Sequence, residues 1–186
     1  MDWIQHMDEQ IIWWIQEYLV REEWNGGMIL ISRLGNGGFL WIALGILFLL
    51  CGIRNRKFLK YGCILLLCLG VTALVCNVVL KPLVGRIRPY DLLGFPILIP
   101  PLSDFSFPSG HTSASFAAAT ALFAMHRTWG AVAYVFAGWM GISRLYLGVH
   151  FPSDVVAGAL IGFVLAKITI FCFAKITEKM AQQSFS

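Results

Sequence analysis

The sequence predicts an all-α integral membrane helical bundle: five transmembrane helices, preceded by an N-terminal interfacial helix for which a sixth crossing is the alternative. Three observations predict it. Of 186 residues, 58% are hydrophobic and only 13% charged, with mean hydropathy +0.73, against about 25% charged residues in soluble domains. Apolar runs of roughly the 20 residues needed to cross a bilayer recur along the chain. Basic residues cluster in connections that fall on one side of the resulting topology. No Pro, Gly or Ser-rich linker, low-complexity tract or internal repeat divides the chain, so residues 1–186 read as a single membrane-embedded domain.

Residues 1–24 combine Trp3, Trp13, Trp14, Ile4, Ile11, Ile12, Tyr18 and Leu19 with Asp8, Glu9, Glu17, Glu22 and Glu23. These tryptophans among so many acids fit a helix in the headgroup region, which Asn25-Gly26-Gly27 is expected to break. No cleavable leader is expected, since Asp2, Asp8 and Glu9 stand where a basic segment would. Met28 to Cys51 is the first span. Arg54, Arg56, Lys57 and Lys60 follow it and mark the cytoplasmic side. Gly62 to Leu80 returns outward, and residues 81–110 form an extracytoplasmic loop. Thr112 to Met125, rich in Ala and Ser that permit close helix packing, is the third span. Its 14 residues cover about 21 Å of a hydrocarbon core about 30 Å thick, which sets His111 at or slightly below the headgroups. Gly130 to Leu147 and Val155 to Ala174 complete the five.

The formal charge of +4 is carried largely beside membrane segments, so it points to the bilayer and not to nucleic acid. Cys51, Cys63, Cys68, Cys76 and Cys172 lie in or beside apolar runs without metal-ligand spacing, and free buried thiols are expected. No metal or other cofactor is implied.

Ionisable residues at the edges of apolar segments are costly and mark functional sites. In this topology three such groups reach one face: Lys81 with Arg88-Pro89; Pro108-Ser109-Gly110-His111; and Ser143-Arg144 with His150 and Asp154. Guanidinium forks and an ammonium group suit a phosphate, and Ser109, Gly110 and His111 open a helix whose free N–H groups favour the same anion. Asp154, four residues after His150, can orient its ring, making His150 the better nucleophile and His111 the better acid. Other readings exist for some of these groups. Lys81 could anchor the second span, and Arg144 could pair structurally with Asp154. Asp91 and Asp104 are expected to be solvated loop acids, Arg86 lies off the pattern near the site, and His126 reads as interfacial.

The three groups, in this order and spacing over about 74 positions, together resemble the signature motifs of the type 2 phosphatidic acid phosphatase superfamily. The resemblance implies a metal-independent membrane phosphatase acting through a phosphohistidine. Carried onto this chain, Lys81, Arg88 and Arg144 hold the phosphate with Ser109 and Gly110, His150 attacks, Asp154 partners it, and His111 protonates the leaving group. The implied substrates are lipid phosphates or diphosphates: undecaprenyl diphosphate, phosphatidylglycerol phosphate or phosphatidic acid. The implied location is the plasma membrane, with the site on the extracytoplasmic face and no obligate protein partner. A soluble phosphate ester is the rival substrate. A lipid-binding or translocating protein is the rival class, although a binder has no need of His150, Asp154 and a second histidine.

Overall fold

The computed structural model describes residues 2–183, which are helical or irregular, with no strand among them. Helix α1 (Asp2–Trp14) continues through a π-helical turn, Ile15–Leu19, and α2 covers Glu22–Leu34. The break expected at Asn25-Gly26-Gly27 is absent, because these residues lie inside α2. Glu22 and Glu23 fill its first turn, where acidic side chains meet the positive end of the helix dipole, and the helix packs on α8 (Arg127–Tyr146). That packing outweighs the glycines' poor helix propensity.

The chain bends instead at Gly37 and Gly38, whose φ values of 58° and 71° only glycine adopts without steric cost. The expected first span is therefore broken. The α2 stretch and the stretch formed by the short 3₁₀ turn Asn36–Gly38 and α3 (Phe39–Gly52) meet at 47°.

Helix α4 (Arg56–Ala73) begins with Asn55, whose side-chain carbonyl accepts the Lys57 N–H at 3.0 Å. It returns along α3 and passes without interruption into a π-helical segment, Leu74–Leu80, and then α5 (Lys81–Val84). The segment expected as a loop from residue 81 thus opens with a helical turn, and Pro89–Leu93 forms a further short helix, α6. Residues 94–109 are irregular and lead into α7 (Gly110–Met125), followed by α8 and α9 (Pro152–Gln183).

The bundle is organised around α7, which packs on α4, α8 and α9. Its Ala117, Ala118, Ala119 and Ala121 are fully buried, as the small-residue pattern predicts for close helix contact. At the α7–α9 crossing a Cβ on Gly162 would stand 2.2 Å from the Ser113 carbonyl oxygen. Only glycine allows the two backbones to meet there, and the contact fixes α9 against the helix that carries His111.

Most large apolar side chains on the outer surfaces of α3, α4, α8 and α9 are exposed, the arrangement a lipid environment rewards. Cys51, Cys63 and Cys172 share this outward placement, and only Cys68 and Cys76 are buried. The expectation of five buried thiols fails because apolar runs in lipid-facing helices need not point inward.

By length and apolarity, Arg56–Leu93 and Pro152–Gln183 can each cross a membrane, and the bent α2–α3 pair meets the same test only when its two halves are taken together as one broken span. Helix α7, with 16 residues, is about 24 Å long at 1.5 Å per residue. In α8 the apolar run is diluted by Arg127, Ser143, Arg144 and several Gly and Tyr residues.

Candidate functional site

The eight residues singled out in the sequence come from four places: the turn after the π-helical segment, the approach to α6, the start of α7, and the α8–α9 junction. Lys81, Arg88, Ser109, Arg144, His150 and Asp154 are all nearly or fully buried, none more than 5% exposed. Lys81, Gly110 and His111 line one cavity. Arg88, His111, Arg144 and His150 lie within electrostatic range of one another.

Arg88 is the most heavily bonded cation. Its Nε donates to the Asp104 carbonyl at 2.8 Å, Nη1 to the Val149 carbonyl at 2.7 Å, and Nη2 to Asp104 Oδ1 at 2.7 Å. Lys81 donates to Asp104 Oδ2. Asp104 is therefore no solvated loop acid, as the sequence reading had it. Its half-exposed carboxylate joins two cations. Partial burial pushes its pKa up, but Lys81 and Arg88 outweigh that and hold it at about 2. The position it takes, between an ammonium and a guanidinium, is one a phosphate oxygen would also favour.

Arg144 donates from Nη1 to the Ser32 hydroxyl and leaves Nε without a partner among the described residues. The alternative of a pair with Asp154 is not what the structure has. A guanidinium N–H that is buried and unpaired carries a desolvation cost that a bound anion would remove.

The α8–α9 junction shows why His150 sits as it does. Helix α8 ends at Tyr146, Gly148 takes a φ of 66°, and Pro152 opens α9 in the first-turn position that suits proline. Asp154 Oδ2 reaches back to accept the Phe151 N–H at 2.9 Å, the side-chain-to-backbone half of a capping box. The same oxygen accepts the Ser106 hydroxyl at 2.5 Å and faces His150 Nδ1 at 3.6 Å.

On the other side of the ring, Arg88 Nη1 stands 3.4 Å from Nε2. Arginine is only a donor, so Nε2 presents its lone pair toward the cations and Nδ1 carries the proton toward Asp154. Burial pushes the His150 pKa down to about 3, against the opposing hydrogen bond and charge of Asp154. At neutral pH the ring is uncharged, with a free lone pair aimed into a cationic pocket.

His111 Nε2 is 2.9 Å from Asn36 Oδ1, which ties the kink between α2 and α3 to the start of α7. Ser109 bonds Thr112 through its hydroxyl at 2.9 Å, and its N–H donates to the Asp154 carbonyl at 3.1 Å. A Cβ on Gly110 would stand 2.7 Å from Asn77 Oδ1, so a larger residue here would have to displace the Asn77 side chain. Among the described residues, no group of three His, Cys, Asp or Glu is placed to hold a metal ion.

Sequence reasoning missed Asp104, Ser106, Ser32 and Asn36 as partners, and it set Arg86 aside. Arg86 Nη1 in fact donates to Asp154 Oδ1 at 2.6 Å. A signal existed: Arg86 and Arg88 are two apart just before a proline, and alternate residues of an extended segment share a side.

Three cations, two histidines and an oriented carboxylate make a pocket fit to take a tetrahedral oxyanion and attack it. The comparisons with known proteins agree. The PAP2 superfamily profile matches residues 61–178, which contain all eight residues. The chain belongs to the PAP2 superfamily.

It is 32% identical over 148 residues to the undecaprenyl-diphosphatase of Sulfolobus acidocaldarius, covering 78% of this chain and 69% of that one. It is 30% identical to the lipid A 4'-phosphatase of Bacteroides thetaiotaomicron, covering 77% and 69%. The crystal structure of a transmembrane PAP2 type phosphatidylglycerolphosphate phosphatase from Bacillus subtilis superposes with a TM-score of 0.78 at 31% identity, over 95% of this chain and 89% of the other. This PAP2 protein is thus a membrane phosphatase, and its fold is that of a solved transmembrane relative.

Proposed function

We propose that this PAP2 phosphatase removes a phosphate from a lipid phosphate or diphosphate that enters sideways from the membrane. One observation carries the lipid reading. A cavity of about 470 Å³ has Lys81, Asp104 and His111 at its polar end, and Ile42, Leu66 and Leu69 from α3 and α4 along its walls. A headgroup and the first part of an apolar chain fit such a space together, whereas a soluble sugar phosphate gains nothing from the apolar wall. The named relatives act on lipid phosphates of three kinds, undecaprenyl diphosphate, lipid A and phosphatidylglycerol phosphate.

In this reading Lys81, Arg88 and Arg144 hold the phosphate oxygens, with Ser109, Gly110 and the N-terminus of α7 adding donors. His150 Nε2 attacks phosphorus as the bond to the leaving oxygen breaks, and His111 gives that oxygen its proton. Asp154 stabilises the positive charge that develops on the His150 ring. Water then attacks the phosphohistidine, His111 takes the water's proton, and inorganic phosphate leaves with His150 restored. Asp104 must release Lys81 and Arg88 when substrate arrives. No metal, other cofactor, nucleic acid or obligate protein partner enters the scheme.

The proposal places the enzyme in the plasma membrane as one domain with five crossings, α7 and α8 being shielded by their neighbours. The basic turn from Arg54 to Lys60 lies inside, the site lies on the extracytoplasmic face, and α1 rests at the interface. Purified protein in detergent with EDTA is expected to release phosphate from at least one lipid among undecaprenyl diphosphate, phosphatidylglycerol phosphate and phosphatidic acid, and to do so faster than from glucose 6-phosphate. Turnover of the sugar phosphate alone would sink the lipid reading. Loss of all turnover in EDTA would sink the metal-free mechanism.

A further inference from the structure

We propose that Asp8, on the N-terminal helix outside the stretch matched by the family, acts through Arg86 as a positioning residue for the His150–Asp154 pair. The inference rests on the assignment of His150 as nucleophile.

The connection is a continuous chain of partly buried bonds. Arg86 spends its two terminal nitrogens on two acceptors each. Nη1 donates to Asp154 Oδ1 at 2.6 Å and to the Ser153 hydroxyl at 2.7 Å. Nη2 donates to Asp8 Oδ2 at 2.7 Å and to Gln5 Oε1 at 2.6 Å. The guanidinium plane lies over the Phe151 ring, 4.1 Å from its centroid. Asp8 also takes the Ser153 N–H at 2.9 Å through Oδ1, and the Ser153 hydroxyl through Oδ2. The N-terminal helix therefore grips the first turn of α9, the turn that holds Asp154.

Asp8 is 3% exposed on a helix whose other face shows Trp3, Met7, Ile11 and Trp14 to the outside. Docking that helix does not require a buried carboxylate. A buried ion pair adds little stability over well-packed apolar residues, and Ile12 on the same helix is already fully buried. What the pair does supply is orientation and charge balance. Arg86 takes Oδ1 of Asp154, which leaves Oδ2 to Ser106, the Phe151 N–H and His150. An Arg86 without a second anion would draw the carboxylate's charge away from the imidazole. Asp8 neutralises it, so the negative charge of Asp154 remains available when the His150 ring becomes cationic.

The charged groups around His150 define what removing either partner does. Asp154 faces it from α9, Arg88 from the segment before α6, Arg144 from α8 and His111 from α7; Arg86 reaches it through Asp154, and Lys81 and Asp104 lie beyond Arg88. Asp8→Asn leaves Arg86 uncompensated and makes the ring harder to protonate. Arg86→Gln leaves two carboxylates and makes it easier. A residue that only docks α1 would move neither.

The test uses the full-length protein in detergent, with whichever lipid phosphate the wild type hydrolyses best, and vanadate as the bound-anion probe. Asp8→Asn is expected to lower kcat roughly 10 to 100-fold, the cost of a slightly misplaced catalytic group, with KM and vanadate inhibition within about 2-fold of wild type. The acid limb of the kcat–pH profile should move to lower pH in Asp8→Asn and to higher pH in Arg86→Gln. Unchanged kcat in Asp8→Asn would overturn the proposal. So would equal losses of kcat and vanadate affinity with no displacement of the acid limb, since those mark a purely structural contact. If Asp8→Asn does not fold, Asp8→Glu decides: it keeps the charge one methylene further out, so a wild-type acid limb with reduced kcat supports the proposal, and wild-type kcat overturns it. Failure of the underlying assignment shows separately, as turnover retained in His150→Ala.

Discussion

His150→Ala is expected to abolish phosphate release, a loss on the order of 10⁴ to 10⁶-fold, as removal of a nucleophile costs in enzymes with covalent intermediates. The side chain is 1% exposed, and in the proposed scheme Lys81, Arg88 and Arg144 hold the anion. Arg88 keeps its bonds to Val149 and to the backbone and side chain of Asp104 without it. The variant should therefore still bind vanadate and lipid phosphate while forming no phosphoenzyme. Two measurements check this together: phosphate release under single-turnover conditions, and trapping of an acid-labile phosphoprotein from labelled substrate. Turnover surviving in the variant would refute the role proposed for His150.

Asp154→Asn is expected to lower kcat by about 10³ to 10⁴-fold, the scale seen when the carboxylate orienting a catalytic histidine becomes an amide. The structure gives a local reason. Oδ1 faces the Arg86 guanidinium, and Oδ2 faces the Ser106 hydroxyl, the Phe151 N–H and His150 Nδ1, so both oxygens are acceptors. An amide has one oxygen and one NH₂ group. With its oxygen in the Oδ2 position, the NH₂ points at Arg86, donor against buried donor. With the group turned over, the NH₂ meets Phe151 N–H and Nδ1, which favours the tautomer with a proton on Nε2 and removes the attacking lone pair. Steady-state kinetics should show the loss in kcat, with KM little altered. A kcat within about tenfold of wild type would mean that Ser106 alone can orient the ring.

The parts of this molecule legible in the sequence were those where rare residue types recur at fixed spacing in an apolar background. Lys81, Arg88, His111, Arg144, His150 and Asp154 stood out because charge is so sparse around them, and His150 with Asp154 falls within one helical turn. The supporting residues had no such mark. Asp8 and Arg86 are 78 positions apart and His111 and Asn36 are 75. Nothing local in the chain announces either pairing. Asp104 looked solvated because an acid in a loop without metal-ligand spacing usually is, and only the folded structure brings it to Lys81 and Arg88.

Helix boundaries failed for a related reason. Asn25-Gly26-Gly27 is a poor helix former, yet packing against α8 holds it helical. The bend falls at Gly37 and Gly38, where the backbone needs positive φ. Crossings were legible only in the longest apolar runs: α7, with 16 residues, and α8, diluted by charged and small residues, do not reach the length and apolarity of the α4 and α9 stretches.

The π-helical segment Leu74–Leu80 immediately before Lys81 makes the site depend on phase as well as composition. A wide turn accommodates one more residue than the α-helical path over the same rise, so it sets the azimuth at which every later side chain leaves the axis. Deleting one residue, Val78 or Val79, would let the segment revert to α-helical winding. Lys81 would then keep nearly the azimuth it has now, because the residue removed is the extra one that the wide turn absorbs. Such a deletion would remove no charge and no catalytic group. It should therefore leave vanadate inhibition near that of wild type, and inhibition weakened as much as in Lys81→Ala would show that the π-helical winding itself is needed to place Lys81.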